Sequence, residues 1–231
     1  MLILALDTSS AAGSAALARD GRVVIERAGD SARTHGERLP AELIALLDES
    51  GMTLAAVDRF AVSIGPGSFT GLRVGIASVQ GLALARDKLV APVSTFDALA
   101  WRAREADEPI ATWIDAHRGE VFAALFAPGG RTMLQTPTSL SPLATLEAWR
   151  TELIRFDRVR FTGDGAVRYA EEIRRHLGDR AVVDEQSVPL AGAIAERAHV
   201  EPSRAVRPHA IVPLYVRRPD AELARDGHTR A

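Results

Sequence analysis

The sequence predicts an α/β protein of two lobes that repeat one order of elements. Short apolar runs bounded by turn residues alternate with longer amphipathic stretches, the pattern of sheets covered by helices. A strand ending in Asp, two further strands in a meander, and then helices alternating with strands occur once in each half of the chain. A length of 231 residues with 47% hydrophobic composition buries one large core or two modest ones, and the repeat favours two.

In the first half, Leu2 to Leu6 reads as a buried strand that ends at Asp7. Ser14 to Ala18 and Val23 to Glu26 follow as strands joined by the turn Arg19-Asp20-Gly21-Arg22. A helix is expected from about His35 to Ser50, with Leu39, Leu43, Leu46 and Leu47 on one face and Gly51 as its cap. Phe60 to Ile64 is a strand, and a loop dense in glycine (Gly65, Pro66, Gly67, Gly71) leads from it into a helix of small residues. Leu89 to Ser94 is the next strand, and Thr95 is expected to cap a helix through Trp101.

The charged run Arg102 to Glu108 and Pro109 marks the connection between lobes. Ile110 to Ile114 is again a strand ending in Asp, at Asp115; Glu120 to Phe126 and Arg131 to Gln135 complete a second meander through Pro128-Gly129-Gly130. A strand from Val159 to Thr162, a helix from about Gly165 to His176 capped by Asp164, and a short helix near Leu190 to Arg197 follow. Ile211 to Arg217 reads as extended, since Pro213 and Pro219 oppose a long helix.

The helix after the glycine loop is the most informative stretch. Glycine inside a helix costs about 1 kcal/mol relative to alanine, yet Gly75 and Gly81 sit in its middle. Gly71, Gly75 and Ser78, followed by Gly81 or Leu82, share a face at helical spacing. Such a stripe admits another backbone at close range, either that of its own sheet or that of a partner's helix.

Composition excludes several classes of function. There is no cysteine, so neither disulfides nor thiol chemistry is available, which fits a reducing compartment. A formal net charge of −2 gives no overall pull towards nucleic acid, so any RNA contact is local, for which Arg217 and Arg218 are the candidates, or is made by a partner. The apolar start of the chain lacks a basic leader and is interrupted by Asp7, which argues against export. No window approaches eighteen uninterrupted apolar residues, which argues against a membrane span. Lys88 is the one lysine, and beside Asp87 at a helix end it reads as a solvated charge.

Asp7 and Asp115 stand at equivalent strand ends, where ligands meet an open sheet. They either position a metal or a water, as in phosphate-transferring folds, or cap their turns through Asx hydrogen bonds. The loop from Gly65 to Gly71 opens a helix, where backbone N–H groups bind anions, but it has neither GxxxxGK[ST] nor GxGxxG spacing. The six histidines show no HxxxH or HExxH pair. Ser9, Ser10 and Ser68 lie outside any GxSxG elbow, so a serine hydrolase is not indicated.

ILALDTSS at 3–10, THGERL at 34–39, GPGSFTGLRVGIASVQGLALA at 65–85, DAHRGEVFAALF at 115–126, TGDGA at 162–166 and PLYVRR at 213–218 together resemble the TsaB (YeaZ) family over nearly the whole chain. The resemblance implies the duplicated ribonuclease-H-like fold of actin, Hsp70 and sugar kinases (ASKHA), with mixed sheets flanked by helices. Residues 1–107 would form the first lobe, and 108–231 a reduced second lobe. It implies a cytoplasmic accessory subunit with no catalytic or metal site of its own. Such a subunit activates the transferase TsaD, with the ATPase TsaE, in forming N6-threonylcarbamoyladenosine next to the anticodon of tRNAs reading codons that begin with A. The two histidine ligands of the sister's metal fall at Thr95 and Leu99 here. Helices at about 36–50 and 71–86 would pair with those of the sister, or of a second copy when the chain is alone, through Leu39, Leu43, Gly71, Arg73, Gly75, Ser78, Gly81 and Leu82. Asp7, Thr8, Ser9, Gly65, Gly67 and Ser68 would be vestigial or junction contacts to ATP or ADP, with no cofactor bound by the isolated chain. The competing readings are an ATPase or small-molecule kinase of the same fold and, with no supporting motif, a peptidase.

Overall fold

The computed structural model describes residues 1–217. The first lobe holds β1 (Leu2–Asp7), β2 (Ser14–Arg19), β3 (Arg22–Ala28), α1 (His35–Ser50), β4 (Arg59–Ser63), α2 (Phe69–Ala85), β5 (Val90–Val93) and α3 (Thr95–Arg102). The second holds β6 (Ile110–Asp115), β7 (Val121–Phe126), β8 (Met133–Leu140), α4 (Pro142–Ala148), α5 (Arg150–Leu153), β9 (Val159–Thr162), α6 (Asp164–Arg168), α7 (Ala170–Leu177) and β10 (Ala181–Val183), followed by α8 (Ala191–Val200).

Both sheets have five strands in the same order, β3-β2-β1-β4-β5 and, read the same way, β8-β7-β6-β9-β10. In each, the first strand pairs antiparallel with the meander and parallel with the fourth strand. β1 is the central strand of the first sheet, and all six of its residues are buried, which is why it reads as an unbroken apolar run. The duplication expected from the sequence is present to the level of strand order.

The last helix of each half packs against the other half. α3 lies on β6 and β7, whereas α8 covers all five strands of the first sheet and touches α3. Between them runs a core shared by both lobes, rich in alanine: Ala5, Ala16, Ala61, Ala98, Ala100, Ala191, Ala195 and Ala198, with Phe96, Leu99, Ile114 and Ile194. Small side chains let the two helices come close. The outer face of the first sheet packs Leu4, Leu6, Phe60 and Val62 against Leu39 and Leu46 of α1 and Ile76 and Val79 of α2. The outer core of the second lobe is built on Trp113, which meets Phe161 and Trp149 edge-on at centroid distances of 5.4 and 6.4 Å. The described residues after 107 are therefore not one spatial unit. From Leu190 onward the described chain returns to the first sheet, where Val206 bridges Val90 of β5.

Local signals place the helix ends. Thr34 and Glu37 form a capping box on α1, and Gly51 ends it with φ of 65°. The cap of α3 is Ser94, whose Oγ accepts from Asp97 N at 3.0 Å; Thr95 is the first helical residue, not the cap. Similarly, Gly163, with φ of 105°, holds the position expected for Asp164, which is the first residue of α6. The single helix expected to His176 is two, broken at Tyr169. β8 extends to Leu140 through Pro137, which a sheet-edge strand tolerates. α4, α5 and β10, each seven residues or fewer, were not anticipated. Among the described residues no helix is long and apolar enough to cross a membrane.

Candidate functional site

The strand ends of the two lobes face each other across a narrow gap. Asp7 Oδ1 accepts from Ser9 N at 2.9 Å, and Asp115 Oδ1 accepts from His117 N at 3.1 Å, so both aspartates close the same Asx turn. Asp164 Oδ1 accepts from Asp115 N at 3.0 Å, and Arg168 Nη1 reaches Asp115 Oδ2 at 3.1 Å. Burial pushes the Asp164 carboxyl up, and the charges of Asp115 and Asp7 add to this against the backbone N–H groups of Asp115 and Gly165. The cavity lined by Asp7, Ser9, Thr95 and Asp164 measures about 20 Å³, whereas pockets for small ligands measure roughly 300–1,000 Å³. No three His, Cys, Asp or Glu side chains among the described residues are grouped to hold a metal ion.

The glycine loop is filled by the chain's own backbone. Ser68 N donates to Ser9 O at 2.7 Å, and a Cβ on Gly67, whose φ is 155°, would stand 2.8 Å from Ser9 Cα. A Cβ on Gly65 would stand 2.8 Å from Leu214 O. These glycines answer two close backbone approaches, from the β1–β2 loop and from the C-terminal segment. That segment straps both lobes. Leu214 N donates to Ile64 O at 2.7 Å, Tyr215 stacks on Phe69 at 5.5 Å, and Arg217 Nη1 reaches Glu120 Oε2 at 2.9 Å. Beneath it opens a cleft of about 390 Å³ lined by Pro66, Ser68, Phe69, His117, Phe122 and Tyr215 among others. Arg217, a candidate for RNA contact, also donates to Ala116 O at 3.1 Å and so serves the strap; Arg218 lies outside the described residues.

The β1–β2 loop is fixed by a buried cluster on α1 that sequence reasoning missed. Arg38, 2% exposed, donates from Nη2 to Ala11 O and Ala12 O and from Nη1 to Glu42, with Nη1–Oε1 at 2.8 Å. The same Nη2 lies 2.7 Å from His35 Nδ1, and His35 Nε2 lies 3.0 Å from Ser10 O. A guanidinium only donates, so Nδ1 accepts and the ring proton sits on Nε2, directed at Ser10 O. Burial holds the His35 pKa below its usual value, and the Arg38 charge adds to this. Protonation therefore disfavours the native state. Above the ordinary value of 6.5, folded and unfolded chains both hold the ring neutral. As pH falls through it, the unfolded chain takes the proton first and stability drops. Thermal melts from pH 7.5 to 5.5 should show this loss, and His35→Gln should flatten that part of the profile.

The helix stripe divides into two faces. Gly71 and Gly75 point inward; a Cβ on Gly75 would overlap Thr8 Oγ1 and stand 2.9 Å from Thr8 Cγ2. Leu39 and Leu43 are buried against the sheet. These four do not form an outer surface, because β1 and its loop occupy the space in front of them. Ser78 and Leu82 are half-buried, and Arg73 and Gly81 are exposed, with open space above Gly81. The outer face of α2 is Phe69, Arg73, Ala77, Gly81 and Leu84, with Leu84 74% exposed, and α1 carries Ile44, 61% exposed. Ala77, Leu84 and Ile44 were not singled out from the sequence. The signal was that α2 carries a single charge, Arg73, in 17 residues, more apolar than a helix covered on one side needs.

The fold is two lobes with duplicated five-stranded sheets, a closed gap at the aspartates and an apolar outer helix face. The family model described as TsaD, tRNA N6-adenosine threonylcarbamoyltransferase, matches residues 23–146. TsaB of Bacillus subtilis, named as a tRNA threonylcarbamoyladenosine biosynthesis protein, is 29% identical over 96% of each chain. YeaZ from Pseudomonas aeruginosa is 32% identical with a TM-score of 0.75, covering 93% of this chain and 99% of that one. The activator of 2-hydroxyisocaproyl-CoA dehydratase from Clostridium difficile, 11% identical with a TM-score of 0.53 over 93% of this chain and 100% of that one, shares the fold alone. Within the threonylcarbamoyltransferase group, the chain belongs to the TsaB (YeaZ) family.

Proposed function

We propose that this chain is the partner subunit that activates a TsaD-type transferase in N6-threonylcarbamoyladenosine formation on tRNA, and that it does not carry out the transfer itself. The observation that supports this most directly is the apolar exposure of the two helices: Leu84 stands beside the open Gly81 on α2, and Ile44 stands exposed on α1. Small residues between large apolar ones let a second helix pair approach closely. Thr95 and Leu99, where the sister would place histidine ligands, supply no imidazole. The reading includes a cytoplasmic complex with the sister and the ATPase TsaE, tRNA contact made through the complex, and a homodimer on the same face when the chain is alone.

The test is light scattering after size exclusion on the chain mixed with the catalytic sister from the same organism. A one-to-one complex should form at the expense of any homodimer, and Gly81→Leu, at a position where an added Cβ meets nothing within 4 Å, should lose the complex while melting within about 2 °C of the parent. Full binding by this variant would place the partner elsewhere.

An adenine nucleotide at the subunit junction is part of the same proposal. The cleft of about 390 Å³ under Tyr215 has the volume for it, whereas the gap beside Asp7 does not. Calorimetry should detect ATP or ADP binding by the complex and none by the isolated chain; binding by the isolated chain would favour the kinase reading.

A further inference from the structure

The segment from Ile211 to Arg217 crosses from one lobe to the other along the cleft, and most of its seat is shallow. Ile211 is buried in the outer core of the first lobe. Beyond it, up to Arg217, no residue is buried. Leu214 and Val216 lie half-buried against the core shared by the lobes, while Val212 and Tyr215 are exposed. Among the described residues the backbone after Ile211 makes one hydrogen bond, from Leu214 N to Ile64 O at 2.7 Å.

The far end is fastened by one side chain. Arg217 Nη1 donates to Glu120 Oε2 at 2.9 Å and Nη2 to Ala116 O at 3.1 Å, with the Phe122 ring centroid 5.8 Å away. Ser139 Oγ donates to the same Oε2 at 2.9 Å and so holds the carboxylate in place. Among the described residues these are the hydrogen bonds that tie the segment to the second lobe; its other polar side chain, Tyr215, accepts from Arg73 Nε of the first lobe at 3.4 Å. The Arg217 and Glu120 side chains are 28% and 37% exposed, so water and salt weaken their attraction.

We propose that residues 212–217 are a detachable strap, with Val212 and Pro213 as its hinge, Arg217 as its clasp and Ile211 as its fixed anchor. Val212 and Pro213 make no hydrogen bond among the described residues, and Pro213 has no N–H to fix it. Leu214 to Arg217 form one wall of the cleft of about 390 Å³. Release of the clasp lifts that wall and leaves an open groove between Phe69 and Phe122. Such an opening gives up half-buried side chains and one backbone bond, so it is far more frequent than global unfolding. A molecule that touches the strap from inside the cleft favours the closed form, whatever its identity.

The experiment is amide hydrogen exchange followed by NMR on the full chain, with Leu214 as the reporter and Leu4 and Ala5 of β1 as the internal reference. The Leu214 amide should be protected, yet exchange at least tenfold faster than the reference. Arg217→Gln and Glu120→Gln should each speed Leu214 about fivefold, leave the reference amides unchanged and melt within about 2 °C of the parent. The double variant should exchange no faster than either single one, because the two residues form one clasp. Raising KCl from 0.1 to 1 M shortens the screening length from about 10 to about 3 Å; it should speed Leu214 in the parent and not in Arg217→Gln. Leu214 exchange at the reference rate would show that the strap does not open by itself, and exchange at the rate of a free peptide would show that it is never closed. Either result, or unchanged Leu214 exchange in both single variants, would overturn the proposal.

Discussion

Gly75→Leu should severely destabilise the chain, while the chemically identical change six residues later should not. Gly75 faces Thr8 at the end of the central strand, and even a methyl group there would overlap the threonine hydroxyl. Neither element can retreat, because β1 is paired on both sides and α2 is packed on the sheet. We expect a loss of about 3 kcal/mol or more, which for a chain of this size lowers the melting temperature by about 6–12 °C. Any partner effect of such a variant would follow from the lost stability and would say nothing about the interface. A double-mutant cycle separates the causes: Thr8 Oγ1 has no hydrogen-bond partner, so Thr8→Ala should cost little alone and should recover part of the loss in Gly75→Ala. No coupling between the two sites would refute the packing argument.

Arg38→Ala should be the second severe variant. The side chain joins α1 to the loop at Ala11 and Ala12, and its removal leaves Glu42, His35 Nδ1 and two carbonyls without their donor. Breaking one side of a buried pair typically costs 3–5 kcal/mol. Arg38→Lys keeps the charge but not the fork, so it should recover less than half. Chemical denaturation measures the loss, and limited proteolysis should show cutting near 10–13 in the alanine variant before the rest of the chain opens. Unchanged stability would mean that the loop is held from elsewhere.

Much of the fold was legible because its signals are local. The all-apolar β1, the Gly51 cap and the two Asp-terminated strands each follow from a few adjacent residues. The repeat of strand order then fixed the architecture. What was not legible depends on the other half of the chain. Gly75 and Gly81 look alike in sequence, and only the position of Thr8 makes one internal and the other open. α8 has an ordinary helical pattern, and nothing in it says that its sheet lies some 170 residues upstream, where Gly192 N meets Glu26 Oε1 at 2.7 Å across a separation of 166. Likewise the Arg38 cluster joins a helix to carbonyls that carry no side-chain signature. The short α4 and α5 have too few residues for periodicity to stand out.

The exchange of α3 and α8 between lobes sets how the chain must be born. As the ribosome releases the first hundred residues, β1 to β5 can pair, but the face of their sheet meant for α8 stays bare until about residue 200 has emerged. A nascent chain stalled before that point presents Ile3, Ala5, Ala16 and Ala61 to water, a surface suited to chaperone capture. Neither half can therefore be produced as a stable fragment, and a split version of the protein should regain its fold only when both pieces are made together.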